Sequence, residues 1–406
     1  MLTHAHLDHI GRLPLLGQGG YEGPIYATPA TLEIARLILE DAAKLQEQDA
    51  ARSNRKLSEK DKPPLEPLFT AADVARLLPL FRPVPYVTPV AVAPGVSVQL
   101  FEAGHILGSA SIEMVLEDSG VQRVVVFSGD IGPRSAPILR DAACLTRADL
   151  VFLESTYGDR NHRSLTETVK EFRQLVSDAV AQRGKILVPT FAVGRAQQIL
   201  FHLAGMFQEK VVPPFPVILD SPMAVQATHL YALHPELFDD EMRVLAGKTN
   251  FLEHLSSLRH TVTADDSRAL NELPGPCLIM AGAGMCNGGR IRHHLRHNLS
   301  RAGTVVIIVG YQAPGSLGRL LVDGAKEVSI FGEKIRVRSV VHSLGGFSAH
   351  AGQSDLLDWF ACLAPQRPRV VLTHGEDKGR TPLAALIEQR FGVKPHLPSL
   401  EEIIEV

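Results

Sequence analysis

Between Thr3 and Gly11 the chain reads Thr-His-Ala-His-Leu-Asp-His-Ile-Gly, so His4, His6, Asp8 and His9 crowd imidazoles and a carboxylate into one short segment. Lone histidines are common on protein surfaces, whereas an HxHxDH array is the pattern expected of metal ligands. In an extended segment His4 and His6 point to one side, and a tight turn after them can swing Asp8 and His9 towards a second ion. A polar turn with solvated histidines is the competing reading, and it leaves this density unexplained.

Further along, single ligand-type residues stand at strand-to-loop junctions among glycines: His105 in Gly104-His105-Ile106-Leu107-Gly108, Asp130 in Gly129-Asp130-Ile131-Gly132, and His374 in Thr373-His374-Gly375-Glu376. A strand end fixes a ligand's direction, and glycine lets backbone approach closely. Taken with the first array, these residues divide into His4, His6 and His105 for one ion and Asp8, His9 and His374 for the other, with Asp130 bridging. An all-imidazole and carboxylate set suits zinc, with manganese or iron as alternatives. Two ions close together suit phosphoryl or acyl hydrolysis, because they activate water and clamp both the attacking and the leaving oxygen. The leaving group still needs a proton. His350 is a candidate general acid, and Glu154 a candidate to orient it and raise its pKa, although either also reads as a buried hydrogen-bonded group.

These residues need rigid elements to hold them. A helix is expected from Thr28 to roughly Lys60, with Pro29 in its first turn and Leu32, Ala35, Ile38, Leu39, Ala42, Ala43 and Leu45 at helical spacing. Alternation marks strands over Gly95–Phe101, Ser111–Leu116 and Arg123–Phe127, and Asp149–Glu154 reads as a short buried strand. From there the pattern becomes α/β: helix Leu165–Gln182, strand Lys185–Val188, helix Arg195–Phe207, then apolar runs Val217–Leu219, Cys277–Met280 and Thr304–Val309, as expected of parallel strands. The tail carries a helix over Ser354–Leu363, a strand Val370–Thr373 and a last helix Pro382–Phe391 capped by Thr381.

At 406 residues, 45% hydrophobic and net charge −3, the chain is globular, with ample core and no charge excess suited to broad wrapping of nucleic acid. No apolar run reaches the roughly 18 residues of a membrane helix, so a cytoplasmic, non-membrane protein is expected. The cysteines, Cys144, Cys277, Cys286 and Cys362, are scattered without a CxxC and read as reduced core residues. Gly247-Lys248-Thr249 mimics the end of a P-loop, but Met242 stands where the earlier glycine is needed, and Gly282-Ala283-Gly284 is followed by Asn287 instead of a third glycine. Neither nucleotide reading survives.

The series of motifs resembles the metallo-β-lactamase superfamily, and specifically its β-CASP branch of RNA-processing nucleases, which includes the endonuclease of eukaryotic pre-mRNA 3′-end cleavage and related bacterial and archaeal enzymes. Glu154 in Glu-Ser-Thr, His350 in Ser-Ala-His and His374 in His-Gly-Glu occupy the branch's marker positions. The long α/β insertion between Asp130 and His374 sets the branch apart from ordinary superfamily hydrolases. Pro189–Arg195, Asp220–Ala224, Gly284–Arg290 and Gly310–Arg319 are similar to segments of its bacterial members.

The resemblance implies a metallo-β-lactamase αββα sandwich with an inserted α/β β-CASP domain, divided as 1–157, 158–340 and 341–406. It implies two divalent ions, zinc first and manganese second, with Asp8, Glu154 and His350 catalytic. Single-stranded RNA is the implied substrate, and a homodimer is an open possibility. Candidates for phosphate contact are Ser155, Thr156, Arg195, Ser221, Arg290, Arg319 and Ser348. For the arginines, domain-bridging salt links are the alternative. The run Arg290, Arg292, His293, His294, Arg296, His297 reads as a solvated basic face rather than an RNA-facing helix.

The family's catalytic domain opens with several strands before the HxHxDH loop, and this sequence starts at that loop. An upstream portion is therefore expected, without which the first sheet would show an unpaired edge. The implied activity is a di-metal ribonuclease, endonucleolytic in the first instance, with a 5′-exonuclease mode open. A small-molecule di-zinc hydrolase of lactonase or thioesterase type and a non-catalytic RNA-binding subunit are the competing readings.

Overall fold

The computed structural model describes residues 1–57, 63–246, 253 and 255–406. Gly247-Lys248-Thr249 and the end of the expected first helix beyond Leu57 lie outside these residues. The chain divides into two compact units: residues 1–134, 141–160 and 350–406 form one, and 135–140 with 161–349 form the other.

In the first unit, short strands β1 (Ile25–Ala27) and β2 (Phe81–Pro83) pair in parallel. β3 (Val90–Ala93), β4 (Val96–Glu102), β5 (Ala110–Asp118) and β6 (Val121–Phe127) form an antiparallel meander, and β7 (Leu150–Glu154) lies parallel to β6.

The second unit is built on β8 (Lys185–Pro189), β9 (Val217–Leu219), β10 (Leu258–His260), β11 (Cys277–Ala281) and β12 (Thr304–Ile308). A hairpin, β13 (Glu327–Ile330) and β14 (Glu333–Arg336), precedes β15 (Val340–Ser343). These strands, the hairpin apart, form a parallel sheet in the order β10-β9-β11-β8-β12-β15. β8 and β11 are buried along their whole length, which is why they read as unbroken apolar runs. The helix Leu165–Ala181 starts where the Ser164 side chain accepts from the Glu167 amide, and it buries Thr168, Phe172, Val176 and Ala179 at helical spacing.

The chain then returns to the first unit, where β16 (Arg369–Thr373) pairs in parallel with β7 and completes the order β16-β7-β6-β5-β4-β3. On one face, Val126, Val151, Leu153 and Leu372 pack with Trp359 and Phe360 of the helix Gln353–Ala361 and with Leu383 and Ile387 of the helix Asp377–Phe391. A second cluster gathers Val84, Val98, Leu100, Ala110 and Ile112. Among the described residues no helix is long and apolar enough to cross a membrane.

Two expectations are corrected. The last helix begins at Asp377, not Pro382, so Thr381 lies inside it and caps nothing. The Thr-Pro pair imitated a start signal, but Gly379 and Arg380 already bond back to the Glu376 carbonyl, and the helix accepts Pro382 in its second turn with one backbone bond forgone. The cysteines are not all reduced: Cys144 and Cys362 form a disulfide within the first unit, while Cys277 and Cys286 are free and buried. A separation of 218 residues, most of it occupied by the second unit, hid the pairing.

Candidate metal centre

Strand direction explains how residues so far apart in sequence converge. β4, β6, β7 and β16 all run the same way in the first sheet. Their C-terminal ends therefore lie along one edge, and the residues there or just beyond are His105, Asp130, Glu154 and His374. β5 runs oppositely and begins at that edge, where the Ala110 amide donates to the Thr3 carbonyl at 2.7 Å. With the Leu2 amide on the Tyr26 carbonyl at 2.9 Å, this bond ties the first histidines to β5 and β1. Leu7–Ile10 then forms a single helical turn that delivers Asp8 and His9, as the motif's spacing anticipated.

The loops are held by small residues and hydroxyls. Ser109 Oγ accepts from the His105 amide at 3.0 Å. Thr28 and Thr31, at the start of the helix Pro29–Leu57, donate their hydroxyls to the Gly108 carbonyl at 2.7 and 2.8 Å. Gly108 has φ +79°, and a Cβ there would sit 2.7 Å from the Thr31 amide, so only glycine fits. Gly132 donates to the Ala103 carbonyl, joining the His105 and Asp130 loops. His374 itself is left-handed, at φ +48°, a conformation that costs a non-glycine residue energy and that its neighbours must enforce. Ser155 Oγ donates to the Thr373 carbonyl at 2.8 Å, and Thr156 Oγ1 to the His374 carbonyl at 3.1 Å.

The side chains fall into touching groups. His4, His6, His105 and Asp130 bring a ligand atom each to within 4.8 Å of one another, as do Asp8, His9 and His374, and a third group is Asp130, Glu154 and His350. Asp130 is common to two groups: one oxygen, Oδ2, lies 3.4 Å from His4 Nε2, 3.4 Å from His9 Nε2 and 3.6 Å from His105 Nε2. The other, Oδ1, lies 3.3 Å from His374 Nδ1. His6 Nδ1 meets His105 Nε2 at 3.0 Å, and His9 Nε2 meets His374 Nε2 at 3.2 Å. In the first group the His4 and His105 side chains are fully covered and His6 is half-buried, whereas in the second the Asp8 side chain is 66% exposed and that of His374 34%. One cluster is thus the more enclosed, and the other opens to solvent.

Burial pushes His4 and His105 well below the ordinary imidazole range and His6 down to about 4. These rings are therefore neutral at pH 7, the form in which an imidazole nitrogen can coordinate a cation. The hydrogen bond to Asp8 raises His374 to about 9 and holds Asp8 below the usual carboxylate range. Burial acts to raise the Asp130 carboxyl, but the hydrogen bond from His9 and the imidazoles of His105, His4 and His350 outweigh it and keep it ionised. Burial likewise works against protonated His350, yet the Glu154 carboxylate prevails and the imidazole goes up.

The donor set fits divalent cations. His4 Nε2 and Asp130 Oδ1 are buried without a hydrogen-bond partner, and packed imidazoles facing a carboxylate lack the donors to satisfy one another. Glu154 is fixed rather than exposed: its Oε1 accepts from the Ile131 amide at 2.7 Å, and His350 Nδ1 lies 3.4 Å from the carboxylate. Sequence reasoning missed Ser128, whose hydroxyl accepts from the Glu154 amide at 3.0 Å, and Ser109; both stand beside ligand-type residues in the Gly-rich motifs, which is the signal they carried.

Four of the candidate phosphate residues of the second unit have partners within that unit. Arg195 is buried and bonds to Gln198, Ser221 Oγ caps the helix Pro222–Leu233, and Arg319 pairs with Asp323 at 2.9 Å. Arg290 bonds Asp220 at 2.7 Å and the Val262 carbonyl at 2.9 Å. The run 290–297 is not uniformly solvated: His294 is 1% exposed and meets Asp220 at 2.5 Å, because it lies on the inner face of the helix Ile291–Asn298. Ser348 is half-buried in the second unit, while Ser155 and Thr156 sit beside His374 in the first.

Comparison with known proteins matches this architecture segment by segment. The metallo-β-lactamase superfamily model matches residues 1–190, the Beta-Casp domain 196–321, and the Zn-dependent metallo-hydrolase RNA specificity domain 334–398. Ribonuclease TTHA0252 of Thermus thermophilus is 42% identical over 393 residues, which cover 96% of this chain and 84% of that protein. The chain belongs to the β-CASP branch of the metallo-β-lactamase superfamily. Among other β-CASP relatives, transcription termination factor FttA of Cenarchaeum symbiosum is 32% identical over 419 residues and that of Methanosarcina mazei 30% over 413; the chain spans 62% of the length of each. As a member of this branch the protein is a metal-dependent hydrolase, and Asp130 and His374 bracket the β-CASP insertion.

Proposed function

We propose that this β-CASP protein is a two-ion ribonuclease that hydrolyses internal phosphodiester bonds of single-stranded RNA. The observation that carries the reading is the shared carboxylate: Asp130 stands between an enclosed His4, His6, His105 group and an open Asp8, His9, His374 group, with the Glu154–His350 pair against it. His4, His6 and His105 would hold one cation, Asp8, His9 and His374 the other, and Asp130 both. Zinc suits this donor set, with manganese second. A pair of divalent ions supplies Lewis acidity, making water nucleophilic near neutral pH and countering the charge that builds on a phosphodiester.

The chain's own residues do the rest. Glu154 is immobilised by the Ile131 amide and turns His350 Nδ1 towards itself, which leaves Nε2, 3.9 Å from Asp130, to give a proton to the departing oxygen. Ser155 and Thr156 set the His374 backbone by their hydrogen bonds. Ribonuclease TTHA0252, by its name, acts on RNA, and the similarity over 96% of this chain supports the same substrate class here. All groups of the proposed centre come from one chain. In the cytoplasmic setting proposed here the Cys144–Cys362 bond would face a reducing environment, so its state in cells is informative.

The test is cleavage of unstructured RNA by the zinc-loaded protein, with 5′-blocked and 5′-monophosphate substrates side by side. Internal cuts at equal rates on both are expected, and His350→Ala is expected to slow them by about 10²-fold or more while retaining its metal. Hydrolysis of esters or thioesters without RNA cleavage would replace this reading by a small-molecule hydrolase. A His350→Ala protein as fast as the parent would remove the general-acid assignment.

A further inference from the structure

The second unit carries an exposed aromatic feature that the metal centre does not use. Phe191 follows β8 and is 43% exposed; Tyr311 follows β12 and is 48% exposed. β8 is flanked in the sheet by β11 and β12, and the loops after these neighbours bring glycines up to the Phe191 ring. A Cβ on Gly284 would come within 2.8 Å of the ring, and one on Gly310 would lie 3.7 Å from it. The phenyl group thus rests on a floor that any side chain at Gly284 would lift.

That floor is fastened from below. Gln312, 6% exposed, donates its amide to the Gly284 carbonyl at 2.9 Å and to the Gly310 carbonyl at 3.3 Å, pinning both loops. Asn287 Oδ1 accepts from the Leu317 amide, and the Gly318 amide donates to the Met285 carbonyl. The ring is therefore presented by a rigid, hydrogen-bonded scaffold at the C-terminal edge of the central strands, the position at which open parallel sheets bind ligands.

A lone exposed aromatic residue needs no explanation, but two on loops that follow adjacent strands, over glycines, do. Their surroundings choose the partner. Apart from the two rings, the exposed residues of these loops are Ala283, Asn287, Gly289, Pro314 and Gly315, small or polar and without another large apolar side chain to offer a protein partner. What a flat ring on a polar, rigid shelf accepts is another flat ring with polar edges, a nucleobase.

We propose that Phe191, with Tyr311 beside it, is a base-stacking platform for single-stranded RNA, and that it sets KM rather than the chemical step. The inference rests on the ribonuclease reading above, and adds to it the side chains that take the bases. Stacking of one base on an aromatic side chain is worth about 1–3 kcal/mol, so loss of the platform should raise KM by about tenfold, the equivalent of about 1.4 kcal/mol.

The experiment measures kcat and KM for zinc-loaded parent, Phe191→Leu, Phe191→Trp, Tyr311→Leu and Tyr311→Phe, on an RNA oligonucleotide and on the same backbone made abasic at successive positions. The expected result is a roughly tenfold higher KM for Phe191→Leu with kcat within about twofold, a smaller rise for Tyr311→Leu, and parent-like behaviour of Phe191→Trp and Tyr311→Phe. On the oligonucleotide abasic at the stacked position, parent and Phe191→Leu should converge. 2-Aminopurine at that position should be quenched by the parent and not by Phe191→Leu. If the parent cleaves RNA while Phe191→Leu matches it in KM and in quenching, the platform is refuted and the nuclease reading stands. If the parent neither binds nor cleaves RNA, the reading fails and the platform with it. Should Phe191→Leu fold poorly, the contrast between Tyr311→Leu and Tyr311→Phe, which alters an exposed side chain, still decides.

Discussion

Replacing Asp220 by Asn removes the charge on which the β-CASP unit closes the ends of its strands. The Asp220 carboxylate is fully buried just after β9 and receives hydrogen bonds from His294 Nε2 at 2.5 Å, Ser267 Oγ at 2.6 Å, Arg290 Nη1 at 2.7 Å and the Thr261 hydroxyl. Burial works to raise its pKa, but these four donors more than reverse it and hold the carboxyl below the usual range. Breaking a buried, hydrogen-bonded charge pair from one side costs about 3–5 kcal/mol, because the partner stays behind desolvated. His294 is sealed and takes the full effect, whereas Arg290 is 24% exposed and regains some water, so a loss near 3 kcal/mol is expected. Urea unfolding followed by hydrogen exchange at β9, β10 and the 282–290 loop measures it. The carboxyl's folded pKa is depressed, so its stabilisation is present above the unfolded value of about 3.9 and fades as pH falls from there towards the folded one; the gap between parent and Asp220→Asn should begin to narrow at about pH 4 and shrink steadily as the pH is lowered further. A loss under about 1 kcal/mol, or a gap independent of pH, would refute the reasoning.

His202 gives a second handle on acid stability, of the same sign and in a higher pH window. Its Nε2 is sealed and unpartnered, and burial together with the Arg195 and Arg173 cations pushes its pKa down to about 3. The unfolded chain takes up the proton near pH 6.5 and the folded one does not, so stability is lost as pH falls from 6.5 towards 3, by about 1–2 kcal/mol at pH 5. His202→Leu should flatten that slope relative to the parent between pH 8 and pH 5, and parallel curves would contradict it. The Cys144–Cys362 bond closes a loop with a sequence separation of 218 residues, so Cys144→Ser should lower the unfolding free energy by about 2–5 kcal/mol under non-reducing conditions and change nothing under reducing ones. Thiol titration of the denatured, unreduced parent should find only Cys277 and Cys286.

The motifs that converge on the candidate centre and the α/β insertion were legible because each depends on local sequence: ligand-type residues next to glycine at strand ends, and apolar runs at strand length. Lys185–Pro189, Val217–Leu219 and Cys277–Ala281 appear within a residue or so of their expected bounds, since parallel strands buried on both faces leave little room for ambiguity. What the sequence hid was long-range. The Cys144–Cys362 partnership depends on the first unit being resumed after the insertion. The Asp220–Arg290–His294 lock joins two loops and a helix face, so a run that looks basic and solvated on paper has one side turned inwards. Pro382 misled because a proline near a helix start is tolerated at more than one position. Phe191 and Tyr311 carried no periodic signal, and their exposure, with the glycines beside Phe191, shows only in the fold.

Elemental analysis of the purified protein and of two variants tests the shared-carboxylate centre most directly. Asp130 touches both groups, whereas His374 belongs to the open one alone. The account predicts about two zinc or manganese ions per chain in the parent, about one in His374→Ala and close to none in Asp130→Ala, with all three folded alike by circular dichroism. An Asp130→Ala protein that keeps both ions, or a parent that takes up none from a zinc-containing buffer at neutral pH, would contradict it.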